Sequence, residues 1–223
     1  MSQSSEFRFA IAAVDVVTFA LFDGALQVLL RQTESAVPQY HGVPCLPGAV
    51  MTAEENADAT LARVLKTKTG IASLYTEQLY TFTDVHRDAR SRAIAIAYLG
   101  CLRPEVARAH THATAQFVPV NAVPTLAYDH NTILSVAMKR LASKLLYTTI
   151  AQTLLPKKFT LSELQAVYEI VRGETLDKRN FRKKFLSLDV IKETGELQSG
   201  VANRPAALYT FTTEHVIEIT PVL

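Results

Sequence analysis

The chain has 223 residues, 48% of them hydrophobic and 20% charged, with a formal net charge of +2. That composition excludes a disordered or collagen-like chain and suits one large or two small globular domains. No apolar run reaches the ~18 residues of a membrane span, and the small net charge leaves nucleic-acid binding to be argued from local clusters alone.

Met1 to Arg8 is polar and Ser-rich, without the apolar centre of a signal peptide. Two cysteines, Cys45 and Cys101, build neither a disulfide framework nor a zinc site, so a reducing, cytoplasmic setting is expected. Val16 to Phe22 is a β-branched and aromatic run. Asp23-Gly24 and the aliphatic run Ala25 to Arg31 follow it, which predicts a hairpin. Thr52-Ala53-Glu54-Glu55 reads as a capping box opening a helix that runs towards Thr69 and stops at Gly70. Leu79 to Phe82 and Ala93 to Leu102 read as further strands. Strands, a helix and more strands without regular alternation predict an α+β class.

Residues 104–128 carry Pro104, Pro119 and Pro124 and read as a connector. Asp129 then caps a helix extending to Leu155, with Ile133, Val136, Ala137, Leu141, Leu145 and Leu146 on one face. The chain is expected to divide into an N-terminal domain at 1–124, a linker helix at 125–156 and a C-terminal domain at 157–223.

Thr160-Leu161-Ser162-Glu163 is a second capping box. Leu164, Val167, Tyr168 and Val171 continue it at helical spacing up to Gly173. Next comes Lys178-Arg179-Asn180-Phe181-Arg182-Lys183-Lys184, in which five of seven residues are basic. Phe181, Phe185 and Leu188 share an inward face, while Arg179, Arg182 and Lys183 share an outward one. A helix, a turn and a basic amphipathic helix describe a helix-turn-helix. Val190-Ile191-Lys192 and Ala207 to Phe211, joined by a Gly-containing loop, supply a wing. Thr160, Lys178, Arg179, Asn180, Arg182, Lys183 and Arg204 are the candidate DNA-contacting residues. Residues 151–223 hold ten Lys/Arg against nine Asp/Glu, so the alternative is a merely solvated helix face.

The segment Pro47-Gly48-Ala49 to Ile71 resembles the Nudix box, G-x5-E-x7-R-E-U-x-E-E-x-G-U, in length and shape. With Gly70 as its second glycine, Ala49 falls on the first, Glu55 on the first glutamate and Arg63 on the arginine. Val64, Thr67 and Lys68 replace the other glutamates. A magnesium site needs several oxygen ligands, so no metal site and no magnesium-dependent hydrolysis are expected from the box.

Several stretches together resemble the Nudix-related transcriptional regulators of the NrtR family. They include Arg87 to Arg92, Tyr128-Asp129-His130, Leu154-Leu155-Pro156, Phe159-Thr160-Leu161, Asp177 to Lys184 and Arg204 to Tyr209. The resemblance implies a Nudix-like α/β/α sandwich followed by a winged helix-turn-helix, and a homodimer on a double-stranded DNA operator. It also implies a nucleotide effector such as ADP-ribose that loosens the DNA complex, with no required cofactor. Ala49, and Ala89 where relatives often have proline, depart from the pattern.

For a ligand with two phosphates, Arg31, Arg63, Arg87, Arg90 and Arg92 are the candidate cations, with Glu55 beside them. Phe82 or Tyr98 is a candidate for adenine stacking. Asp129-His130 reads as a helix cap, or as a hydrogen-bonded link between effector and DNA domains. His110 and His112 read as a solvent-facing pair, and Cys45 as a small buried group or a nucleophile. The competing functions are a divergent Nudix pyrophosphatase acting on ADP-ribose or a related nucleoside diphosphate, and a winged helix that binds protein.

Overall fold

The computed structural model describes residues 9–35, 37–199 and 205–221. β1 (Ile11–Phe22) and β2 (Ala25–Gln32) form the expected hairpin. Asp23 and Gly24 both take positive φ, 52° and 74°, as a two-residue turn between right-twisted strands requires. The two strands pair over only four positions, from Phe22 opposite Ala25 to Phe19 opposite Val28. Beyond that they part. β4 (Gly48–Val50) pairs with β1 at Ala13 to Asp15, and β3 (Pro44–Cys45) pairs with β2 at Arg31 and Gln32.

On its other side β1 runs parallel to β6 (Ala93–Leu102), and β5 (Tyr75–Phe82) lies antiparallel beyond that. A parallel pair must be covered on both faces. Val14 and Val16 meet Leu61, Val64 and Leu65 of α1 (Ala57–Val64) and the π turn at Leu65–Thr69. Val17 and Phe19 face the opposite layer, where α3 (His130–Tyr147) lays down Ile133, Ala137 and Leu141. The result is an α/β/α sandwich.

Three expectations change here. The first helix is capped by Asn56, whose side chain accepts from the Ala59 amide, and not by Thr52. Thr52 instead opens a turn ahead of the helix, with the Glu55 amide donating to its carbonyl at 3.3 Å, and the Glu55 carboxylate is held by Arg63. Residues 104–128 are not a plain connector. Pro104 opens α2 (Pro104–Arg108), and β7 (Ala115–Pro119) adds to the free edge of β2. The long helix ends at Tyr147, followed by a 3-10 turn at Ile150–Thr153. Lys144 pairs with Glu77, and Arg140 donates to the Leu79 carbonyl at 2.9 Å, so α3 is docked along β5.

In the C-terminal unit, α4 (Leu161–Arg172) carries the full capping box: Glu163 N donates to Thr160 Oγ1 and Thr160 N to Glu163 Oε2. Gly173 ends it with φ of 71°. α5 (Lys178–Leu186) is capped by Asp177. Phe181 and Phe185 meet the buried Tyr168 ring edge-on at 5.2 and 5.4 Å. β8 (Ile191–Leu197) and β9 (Ala207–Phe211) pair antiparallel, and Phe159 bridges to Tyr209. Asn203 and Arg204 lie outside the described residues. One apolar cluster runs from Val17 and Leu99 through Leu141 and Leu145 to Leu164, Tyr168 and Phe185. Among the described residues no helix is long and apolar enough to cross a membrane.

Candidate functional site

Where β1 and β2 part, β3 and β4 floor a cleft of about 370 Å³. Asp15 of β1, Arg31 of β2, Cys45 of β3 and Ala49 of β4 line it, together with Arg87, Arg90, Tyr128 and His130. Gly48 is needed for this approach. A Cβ there would lie 2.1 Å from Asp15 Oδ1 and 2.8 Å from the Val14 carbonyl.

Arg87 is almost fully buried. It grips Asp129 with two hydrogen bonds, at 3.0 and 2.8 Å, and reaches Asp15 at 3.4 Å. A bidentate guanidinium–carboxylate pair is the strong form of this contact. It explains why Asp129 makes no cap bond at the start of α3. His130, next along, accepts the Leu46 amide proton at Nδ1, 3.0 Å away, and turns Nε2 towards Asp15 at 3.7 Å. Burial holds its pKa below the usual imidazole value, against the pull of Asp15 and Asp129, so the ring is neutral with its proton on Nε2. The first turn of α3 is thus wired into the cleft wall.

Arg90 pairs with Asp88 at 2.6 Å and lies over the Tyr128 ring at 5.2 Å. Arg31 pairs with Glu34 at 2.7 Å, yet its buried Nε has no partner among the described residues. Tyr128 sits at φ of 58°, a strained conformation for a non-glycine residue, with Tyr40 4.4 Å from its ring centre. The expected stacking residues do not reach the cleft. Phe82 is in the core, and Tyr98 donates to Asp58 on the α1 side of the sheet.

Of the candidate ligand residues, Arg31, Arg87 and Arg90 converge, while Glu55, Arg63 and Arg92 do not line the cleft. Arg63 is bidentate to Glu55, at 2.7 Å twice, and donates to the Val50 carbonyl, pinning the loop before α1. That contact pulls the Glu55 carboxyl down to about 2. Arg92 ties the β5–β6 loop through the Thr83 and Asp84 carbonyls. Sequence reasoning missed Asp15, Tyr128 and the place of His130 in the cleft wall. A lone acid inside the apolar run Val14-Asp15-Val16 was the available signal, because a charge on a doubly covered strand needs a partner.

The three substituted box positions offer magnesium no carboxylate. Val64 is fully buried, Thr67 donates to its own helix backbone, and Lys68 directs an ammonium towards Glu34. Among the described residues no three His, Cys, Asp or Glu side chains gather closely enough to hold a metal ion. Cys45 is buried and its thiol is pushed up to about 11 by burial, which removes it as a nucleophile at neutral pH. His110 is hydrogen-bonded to the Thr69 carbonyl and stacks on His112.

The second site is the outer face of α5. Lys178, Arg179, Asn180 and Lys183 are exposed there, with Phe181 and Phe185 turned inward. Asn180 and the two preceding cations occupy the first turn, the part of a recognition helix that meets base edges. Two expected contacts take other roles. Thr160 is buried and its hydroxyl serves the α4 cap. Arg182 is partly buried and donates to Ser162 Oγ at 3.1 Å, fastening α5 to α4.

Residues 151–211 match the family model described as the NrtR DNA-binding winged helix domain. The chain is 35% identical over 216 residues to the ADPR responsive transcriptional repressor NtrR of Acinetobacter baylyi, covering 94% of this chain and 85% of that protein. Its fold resembles the crystal structure of Shewanella oneidensis NrtR complexed with a 27mer DNA, with a TM-score of 0.81 and 30% identity, over 90% of this chain and 93% of that one. The NUDIX domain of Shewanella oneidensis NrtR complexed with ADP ribose aligns at a TM-score of 0.51 and 26% identity, over 63% of this chain and 94% of that one.

Proposed function

Because the chain belongs to the NrtR family of transcriptional regulators, we propose that it is a DNA-binding repressor whose Nudix-like cleft senses ADP-ribose and catalyses nothing. One observation carries this reading: an arginine-lined cleft whose acids, Asp15, Glu34 and Asp88, are each paired with an arginine, and an exposed basic helix, stand on one continuous core. The cleft binds the effector through arginines suited to a diphosphate. Lys178, Arg179, Asn180 and Lys183 approach the duplex, with Arg204 as a candidate from the wing.

The protein works in the cytoplasm as a homodimer that presents two α5 helices to half-sites about 34 Å apart. Effector binding favours a second arrangement in which that spacing no longer fits. The Arg87–Asp129 pair and the His130–Leu46 hydrogen bond support the route, because they tie the cleft wall to the start of α3. No cofactor is required.

A double charge reversal, Arg179→Glu with Lys183→Glu, tests the DNA face by gel shift against a duplex selected from a random pool. Binding should fall by more than tenfold while the melting temperature holds, and unchanged affinity would return the helix to a protein-binding role. The hydrolase alternative is checked by incubation with ADP-ribose and magnesium, where no AMP should appear.

A further inference from the structure

Glu34 and Arg31 line the cleft, and Lys68 reaches the same carboxylate from outside that lining. The Arg31 side chain is only 7% exposed, and it gives Nη2 to Glu34 Oε1 while its buried Nε has no partner among the described residues. Glu34 is 65% exposed, and its other oxygen takes the Lys68 ammonium at 3.1 Å. Lys68 donates this hydrogen bond to a residue 34 positions earlier in the chain. In the box pattern position 68 is a glutamate, so a fixed cation stands where an acid would gather a divalent one. Lys68 and then Arg31 draw the Glu34 carboxyl below its ordinary range, which keeps it an anion at neutral pH.

A carboxylate spread between an ammonium and a guanidinium occupies the place a phosphate oxygen would take. It is mostly solvated, and exposed pairs of this kind hold weakly. Arg31 meanwhile keeps a buried donor in reserve, which an apolar or neutral ligand would leave unsatisfied.

We propose that Glu34 is an internal competitor for the anion site formed by Arg31 and Lys68, swinging out when a diphosphate arrives, and that Lys68 makes this binding independent of divalent cations. The proposal rests on the reading of the cleft as an ADP-ribose site, and it adds how that site is held when empty and what neutralises the ligand.

Titration calorimetry on the full chain tests it, with ADP-ribose and, in parallel, inorganic pyrophosphate as probes, each in EDTA and in magnesium chloride. Wild-type affinity for ADP-ribose should agree within about twofold between the two buffers. Glu34→Gln should tighten both probes by about three- to fivefold, the scale of one exposed ion pair. Lys68→Ala should weaken both. Glu54→Gln, which removes an exposed acid of the same box away from Arg31, should change neither, so that a general charge effect is told apart. A Glu34→Gln protein no tighter than wild type, or wild-type binding that requires magnesium, overturns the proposal. Should ADP-ribose fail to bind while pyrophosphate binds and tightens in Glu34→Gln, the effector reading falls and the competitor stands. Pyrophosphate affinity that ignores the substitution sinks the competitor whatever ADP-ribose does.

Discussion

His130 concentrates the chemistry of the cleft wall in one side chain. It is buried with Nδ1 accepting a backbone proton, and burial outweighs the neighbouring Asp15, Asp129 and Asp88, with Arg87 acting in the same direction as burial. A histidine held neutral in the fold binds a proton more readily once unfolded. Its contribution to stability is therefore present above the unfolded pKa of about 6.5 and is lost as the pH falls below it. Between pH 7.5 and 5.5 the melting temperature should drop further for the wild type than for His130→Asn, read by circular dichroism; equal drops would mean that folding leaves the ring's proton affinity unchanged, and a smaller drop for the wild type that the ring is charged in the fold. The cleft residues were only partly legible in sequence. Arginines can be counted, but their partners cannot. Arg87 and Arg63 look alike on paper, and only folding decides that one grips Asp129 beside the cleft while the other staples Glu55 behind it.

The C-terminal helices were readable because their signals are local. A capping box, a glycine stop and an i, i+4 aromatic pair lie within a few residues of the contacts they make. Thr160→Ala should cost about 1 kcal/mol, and Phe181→Ala about 3–5 kcal/mol, since Phe181 packs fully buried against Tyr168 and Phe185. Chemical denaturation would measure both; equal costs would argue against the packing described for α5. The missed elements depend on distant partners. β7 is a strand only because the edge of β2 is open to it. The helix start at Asn56 was hidden because Thr52 offers an equally good local motif, which the fold uses for a turn just ahead of the helix.

At the scale of the whole molecule, the sandwich and the winged helix do not meet as loosely tethered domains. α3 closes one face of the sheet, and its later turns continue into the core of the C-terminal unit. Arg103, just beyond β6, donates to the Leu155 carbonyl at 2.9 Å, adding a polar tie across the same junction. Composition hinted at a boundary in residues 104–128, because prolines look like punctuation. The chain instead uses that stretch to finish the sheet. A packed junction of this kind favours discrete arrangements over gradual bending, which suits a two-state repressor. The direct test is fluorescence anisotropy of a labelled duplex, selected for tight binding, titrated with the protein in EDTA with and without ADP-ribose. Saturating ADP-ribose should weaken DNA binding by about tenfold or more, the usual size of a coupling between sites. Superimposable curves at saturating ADP-ribose would contradict it.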